Sequence, residues 1–482
     1  MWVEIAFNLD LRSPSVPRTT KLFFLESRIQ ITLDLISHLS QENKNARIVV
    51  VDISTYSIPK LAPWAGRLPR GYWSASKFFE DAGIEYIDGS KMRPSIIDYS
   101  IEEKAQIETA VRSSVISCYA RGVRVRETGS LIERRLAKRL HNEAQKVFSL
   151  ALDLIKSLDA TEVFVTNERF GPKYSPFLAA QRAGIRTLFY TYSADELGTF
   201  RLSEFMTHDR TLSQEHALRV TADLSGDKLQ ALVDKWFNRT ENTFGQLWDE
   251  SGKSWTGPRA SLALFATSSA DETESLNLNW REASWTSQYA AFEAVWSRLK
   301  VNGLTPVLRV HPNLLNKSPA SAYRELRTVR QFLARNPDFL IIWPASRVST
   351  YELLSCSEVV VVENSTVGAE ASAHGIPVIC TNSCYYDLIA DVTKVHGPKD
   401  LVKVDTLSHS PDPLGARRYL AYEADLRDER LSQRARQGLR LSKISIHKLI
   451  IPSLLDGSLL SALLEVRWKL FRFILVVTTP KS

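Results

Sequence analysis

The stretch Glu358 to Thr381, EVVVVENSTVGAEASAHGIPVICT, constrains the fold more than any other part of this chain. Val359 to Val362 is an unbroken β-branched run, the pattern of a strand buried on both faces of a parallel sheet. Asn364, Ser365 and Thr366 follow with side chains suited to capping a helix, and Gly368 allows a close backbone approach. A short small-residue helix carrying Glu370, Ala371 and Ala373 is expected to stop at Gly375, and Ile376 to Cys380 reads as a second buried strand. Strand, polar turn, helix, strand is a βαβ unit whose loop opens at the carboxyl end of the first strand. Unsatisfied N–H groups and the positive end of the helix dipole meet there, which suits a phosphate. A plain capped connection has the same local pattern, so the surrounding chain has to decide.

At 482 residues the chain is too long for one core, and two domains are expected. With 44% hydrophobic and 24% charged residues it is ordinary globular material. A net charge of +7 suits an anionic ligand or a membrane surface. No Lys/Arg block with interleaved aromatics and no zinc-finger spacing is present, so nucleic acid is not expected as a partner. Cys118, Cys356, Cys380 and Cys384 form no CxxC pair and read as reduced residues of a cytoplasmic protein. The start, MWVEIAFNLDLRS, lacks the basic and long apolar regions of a secretory signal. No window of ~18–20 residues is free of charge, so no transmembrane helix is expected.

The first half reads as βαβ from the outset: an opening strand at Val3 to Phe7, a helix at Leu22 to Leu39 and a buried strand at Arg47 to Ile53. A long loop over 54–75 and a short strand at Ile84 to Ile87 follow. Arg121, Arg124, Arg126, Arg134, Arg135, Lys138 and Arg139 stand against Glu127 and Glu133 on a helix that continues to about Leu158. They make either a solvated helix face or an anion or lipid-headgroup patch. Strands are expected at Glu162 to Thr166 and Thr187 to Thr191, with a helix at Ser175 to Ala183 between them. Asn167, Glu168 and Arg169 end the first of these strands, and Asp195 and Glu196 end the second. Carboxylates at strand carboxyl ends are where a doubly wound domain keeps its chemistry. Residues 211–254 read as helical and polar, and SGKSWTGPR (251–259) has linker composition.

The second half repeats the pattern, with strands at Ser261 to Thr267, Thr305 to Val310, Phe339 to Trp343, Val359 to Val362 and Ile376 to Cys380. Helices are expected at about Thr286 to Lys300 and at Tyr323 to Ala334. The first strand runs into Ser268, Ser269, Asp271 and Glu272. The second ends in RVHPN (309–313), where Arg309 and His311 alternate with apolar residues and share one side. A guanidinium beside an imidazole suits a diphosphate, the arginine by bidentate hydrogen bonds and the histidine by one N–H. Lys317 adds a third cation. Ser349, Thr350 and Tyr351 cap a short helix leading into the stretch described first.

Together TSSADE (267–272), RVHPN (309–313), Ser349 to Leu353, ENSTVGAEASAHGIPVI (363–379) and Tyr385-Tyr386-Asp387-Leu388 resemble the capsule and surface polysaccharide biosynthesis glycosyltransferases of GT-B fold. VTNERF (165–170) resembles their N-x-R-F segment. The resemblance covers about residues 160–390 and is firmest from 261 to 390; it is specific as a combination and weak motif by motif. It implies an α/β protein of two Rossmann-like doubly wound domains facing a central cleft. An acceptor-side domain would take residues 1–255 and a nucleotide-sugar-binding domain 256–400, with 401–482 a charged helix and an amphipathic tail.

The expected activity is transfer of a sugar from a nucleotide-activated donor to a surface or capsular glycan, lipid-linked or free, at the cytoplasmic side. No metal and no cofactor are expected. Ser365, Thr366 and Gly368 would hold the donor phosphates, with Arg309, His311, Asn313 and Lys317 stabilising charge on the leaving nucleotide. Glu370 would either reach a ribose or sugar hydroxyl or serve as a helix-dipole carboxylate, and Tyr351 would border the base. Asp195, Glu196 and Glu168 are candidates for the base of an inverting reaction, and Asn167, Arg169, Ser268, Ser269, Asp271 and Glu272 would line the cleft.

Two relatives compete with this reading: a nucleotide-sugar 2-epimerase, expected to carry paired glycines where Thr366 and Val367 stand, and a glycerophosphate or polyol-phosphate transferase. A non-catalytic nucleotide-sugar-binding assembly protein is the rival of another class. Arg417 to Lys443 reads as an exposed charged helix. Residues 458–477 carry an apolar stripe interrupted by Glu465, Arg467, Lys469 and Arg472, which fits either a helix packed on the protein or peripheral contact with a membrane.

Overall fold

The computed structural model describes residues 19–25, 35, 36, 39, 46–53, 79, 84–119, 131–166, 168–192, 200–245, 255–269, 273, 276, 280, 282–312, 314, 319–346, 348–406 and 410–426. The described residues fall into two compact units. One holds those up to Val115 together with Gly129–Thr207; the other holds chiefly His208–Glu429.

The first unit is a six-stranded sheet of β1 (Thr19–Leu25), β2 (Ala46–Asp52), β3 (Glu85–Asp88), β4 (Glu162–Thr166), β5 (Arg186–Tyr192) and β6 (Phe200–Ser203). Its order is β3-β2-β1-β4-β5-β6, parallel apart from the antiparallel β5–β6 pair. Helices α1 (Ile101–Tyr119), α2 (Leu131–Ser157) and α3 (Gly171–Ala183) belong to this half of the chain, and α2 packs closely on α3. The expected helix at Leu22 to Leu39 is corrected: Leu22 to Leu25 end strand β1, which pairs with β2 on one side and β4 on the other. A short apolar run fits either period, and pairing on both edges decides it. Phe23 stacks on Phe164 of β4, with ring centroids 4.3 Å apart. The opening strand expected at Val3 to Phe7 lies outside the described residues.

The second unit repeats this order. Its strands are β7 (Leu262–Ala266), β8 (Thr305–Arg309), β9 (Leu340–Ile342), β10 (Ser357–Val362), β11 (Val378–Cys380) and β12 (Thr393–Lys394), arranged β12-β11-β10-β7-β8-β9 and all parallel. Val359 to Val362 are buried, as a strand covered on both faces requires. Around the sheet lie α4 (Arg210–Thr221), α5 (Gly226–Gly245), α6 (Gln288–Leu299), α7 (Pro319–Arg335), α8 (Thr350–Ser355), α9 (Thr366–Ala373) and α10 (Leu414–Ala421). Both units are therefore Rossmann-like, each with its order reversing beside the first strand.

Helix α4 is fixed by a buried ion pair. The Arg210 guanidinium donates to both Asp387 oxygens, at 2.9 and 2.7 Å, and to Glu282 at 2.7 Å. One turn on, Gln214 accepts from the Leu388 N–H and donates to the Cys384 carbonyl. The charged helix expected from Arg417 is corrected over its described part, because Tyr419, Leu420 and Ala424 are buried. They join Ala416, Trp236 of α5 and Ala369 of α9 in one apolar cluster. Charges between these positions hide an apolar spacing that fits one helix face. Residues 427–443 and the tail 458–477 lie outside the described residues. No helix among the described residues is long and apolar enough to cross a membrane.

Candidate functional site at the second sheet's switch point

Strands β7 and β10 are the neighbours at which the second sheet's order reverses, so their carboxyl ends flank the crevice of a doubly wound unit. Ser365 is the N-cap of α9, and its side chain accepts from the Val367 N–H. The Ser365 carbonyl accepts from the Gly368 N–H and from the Tyr386 hydroxyl at 2.8 Å. Ser268 Oγ, beyond β7, accepts from the Asn364 N–H at 3.0 Å and so links the two strand ends. Gln288 at the start of α6 binds the Ser268 backbone through both ends of its amide. The turn is thus rigidly supported, with Thr366 exposed at the amino end of α9.

Gly368 does allow a close approach, and what approaches is Tyr386. A Cβ at Gly368 would lie 2.1 Å from the Tyr386 hydroxyl oxygen. The glycine therefore admits the tyrosine that holds the cap of α9.

Several buried polar atoms at these strand ends have no hydrogen-bond partner among the described residues: Ser269 Oγ after β7, Asn364 Oδ1 after β10 and Asn382 Oδ1 after β11. An unsatisfied buried acceptor or hydroxyl costs about 1–3 kcal/mol, so native proteins keep few of them. Three lie at the ends of adjoining strands, where a polar ligand would satisfy them.

Arg309 ends β8 and is buried, and its Nη1 donates to the Trp343 carbonyl at 2.9 Å. That contact directs it toward β9, the strand farther from Ser365. Burial brings its guanidinium down to about 10, so it stays charged at neutral pH. His311 is anchored by its backbone N–H, which donates to Thr267 Oγ1 at 2.8 Å. Burial, with the Arg309 charge beside it, pushes the imidazole down to about 4. His311 therefore offers a neutral hydrogen-bonding ring, and charge at this strand end comes from Arg309.

Glu370 is buried one turn into α9. Its Oε1 accepts from the Trp236 indole at 3.2 Å and the Tyr351 hydroxyl at 3.3 Å. Burial raises its carboxyl to about 7 against the lowering effect of those two donors. Tyr351 in turn meets Phe237 edge-on. Glu370 and Tyr351 thus share an internal bond that ties α5, α8 and α9 together.

In the first unit, Glu168 is buried beyond β4, and both its oxygens accept the Thr207 hydroxyl, at 2.8 and 3.1 Å. Arg169 lies over the Phe170 ring, and Lys173, pushed down to about 8 by burial, approaches the same ring. Asn167, Asp195, Glu196, Asp271, Glu272, Asn313 and Lys317 lie outside the described residues.

The structure thus brings Ser268, Ser269, Ser365 and Thr366 to adjoining strand ends, packs Gly368 against Tyr386, and puts Arg309 and His311 at the end of the next strand. Sequence reasoning missed Gln288, Asn382 and the Arg210–Asp387 clamp. Asp387 was visible within the YYDL motif, but its partner sits 177 residues earlier and no local pattern joins them.

No protein-family model matches the sequence, and no curated protein matches it. Among solved structures, the chain is similar to the beta Kdo 2,4 transferase KpsC of Thermosulfurimonas dismutans, at 12% identity and a TM-score of 0.34 over 55% of this chain and 79% of that one. It is similar to a UDP-N-acetylglucosamine 2-epimerase from Rickettsia bellii, at 10% identity and a TM-score of 0.32 over 87% and 96% of the two chains. A third is the Methanocaldococcus jannaschii UDP-GlcNAc 2-epimerase in complex with UDP-GlcNAc and UDP, at 11% identity and a TM-score of 0.30 over 83% and 98%. The strand orders described above, rather than these alignments, carry the fold assignment.

Proposed function

We propose that this chain is a glycosyltransferase that takes a sugar from a nucleotide-activated donor and passes it to a surface or capsular glycan. The observation that supports it best is the switch point between β7 and β10. A rigidly supported helix start, an exposed Thr366 and buried polar atoms of Ser269, Asn364 and Asn382 without partners among the described residues stand at the ends of adjoining strands. In this reading the backbone N–H and hydroxyl of Thr366 take a donor phosphate at the positive end of α9. Arg309 supplies positive charge against the leaving nucleotide, and neutral His311 donates one hydrogen bond. The hydroxyl and amide oxygens of Ser269 and Asn382 meet sugar or ribose hydroxyls. The acceptor's proton goes to a carboxylate of the amino-terminal half, with Asp195 and Glu196 the candidates. Glu168, committed to Thr207, is the weakest of the three. Phosphate charge in this scheme is met by protein groups, with no metal ion required.

Thermal melting against UDP, GDP, CMP and CDP tests the reading. At least one nucleotide should raise the melting temperature of the wild-type chain, and Thr366→Asp, which sets a carboxylate against the phosphate, should abolish the shift. Absence of any shift, or the same shift in the variant, contradicts it. Glycosyl release from the matching donor then separates a transferase from a binding protein.

A further inference from the structure

One face of the first unit remains unused by this reading. Between Leu131 and Lys146, helix α2 carries five basic side chains against two acidic ones. Arg135 and Lys138 are exposed and Arg139 partly so, and these three pair with no carboxylate among the described residues. Arg135 stands three and four residues before Lys138 and Arg139, a helical spacing at which like charges repel. Such an arrangement is relieved by an anionic partner.

A second feature lies over the same side of α2. The extended segment 92–100 is tied down by the Ser95 N–H on Asp153 and by the Tyr99 hydroxyl on the Gln145 carbonyl and Ser149. Asp153, which anchors Ser95 beside Ile96, lies fourteen residues beyond Arg139 and about 21 Å along α2, and Gln145 and Ser149 lie between them. From this anchored segment Ile96 projects with a relative exposure of 103%, and Met92, Lys91 and Arg93 are exposed before it. Ile101 follows at 89%. A soluble polyanion would use the basic side chains and leave Ile96 in water. A lipid surface uses both, taking the cations at the headgroups and the isoleucine at the acyl boundary.

We propose that the basic first half of α2 and the Met92–Ile96 projection together form a docking surface for an anionic phospholipid bilayer. This inference does not depend on the transfer reaction.

The test is flotation of the full chain with vesicles of phosphatidylglycerol and phosphatidylcholine, beside vesicles of phosphatidylcholine alone. The wild-type chain should float with the anionic vesicles, less so at high salt, and should stay behind with the neutral ones. The triple variant Arg135→Glu, Lys138→Glu, Arg139→Glu should lose on the order of 100-fold in vesicle affinity. Ile96→Asp should weaken flotation while leaving binding to soluble polyglutamate unchanged. If the triple variant does not fold, Ile96→Asp decides by itself. Wild-type flotation of either folded variant overturns the proposal, as does failure of the wild-type chain to float. So does loss of flotation only when Arg467 and Lys469 of the tail are reversed.

Discussion

The two sheets share one strand order yet finish their strand ends differently. Beyond β4 of the first sheet, Glu168 is occupied by Thr207, and the Gly171 N–H at the start of α3 donates to Ser114 Oγ at 2.9 Å. Thr166 Oγ1, at that strand's tip, is a buried side-chain atom with no partner among the described residues. Beyond β7, β10 and β11 of the second sheet, the main chain is braced by Ser268, Gln288 and Tyr386, whereas Ser269, Asn364 and Asn382 keep unpaired side-chain oxygens. Topology alone would allow a ligand at either switch point. Among the described residues polar satisfaction distinguishes them: the first tip has Glu168 committed to Thr207, and the second holds its backbone still and leaves three side-chain oxygens over.

The ion pairs of the two halves differ most in burial. Asp387 is fully buried, so Arg210→Ala strands a carboxylate and should cost about 3–5 kcal/mol. Arg186→Ala, on the edge of the first sheet, removes an exposed arginine from Glu162 and Glu204 and should cost less than about 1 kcal/mol. Urea melts of both variants check the pair, and equal losses would contradict the contrast.

Two titrations sharpen it. The Glu370 carboxyl is raised in the folded state, so its contribution is complete below the ordinary carboxylate range and is lost as pH rises through about 7. Glu370→Gln should therefore gain on the wild type with rising pH, by about 3 kcal/mol at pH 8. A pH-independent difference in urea midpoint would contradict this. Overpacking comes next: Gly368→Ala puts a Cβ against the Tyr386 hydroxyl and should cost about 1–3 kcal/mol, with weakened nucleotide binding beside it. Full affinity in that variant would separate Tyr386 from the site. His311 is lowered in the folded state, so its contribution is present above about pH 6.5 and lost as pH falls toward 4. His311→Gln should recover about 2 kcal/mol at pH 5 relative to the wild type and nothing at pH 8.

What the sequence reveals of all this follows the range of the interactions. The strands at Glu162, Leu262, Thr305 and Val359 are legible because each is a short apolar run bounded by turn residues, and the Ser365 cap is legible because its partner is two residues away. Strand β1 is not legible, since KLFFL has no period of its own and only its neighbours β2 and β4 make it a strand. The site divides the same way. Its cap, its glycine and its RVHPN strand end stand in the sequence. The Trp236 bond to Glu370 spans 134 residues, and with Tyr351 it makes an internal support of a carboxylate that looks ligand-facing in the sequence. Arg309 likewise reads as a phosphate ligand, while its bond to Trp343 gives it a structural duty as well.

In the proposed reading the second switch point, and not the first, receives the nucleotide. Amide hydrogen exchange on the full chain, with and without a saturating nucleotide, compares the two directly. The account predicts slowed exchange at Ser365 and Thr366 and unchanged exchange at Gly171 and Lys173. Protection at Gly171 and Lys173 with none at Ser365 and Thr366 would contradict it.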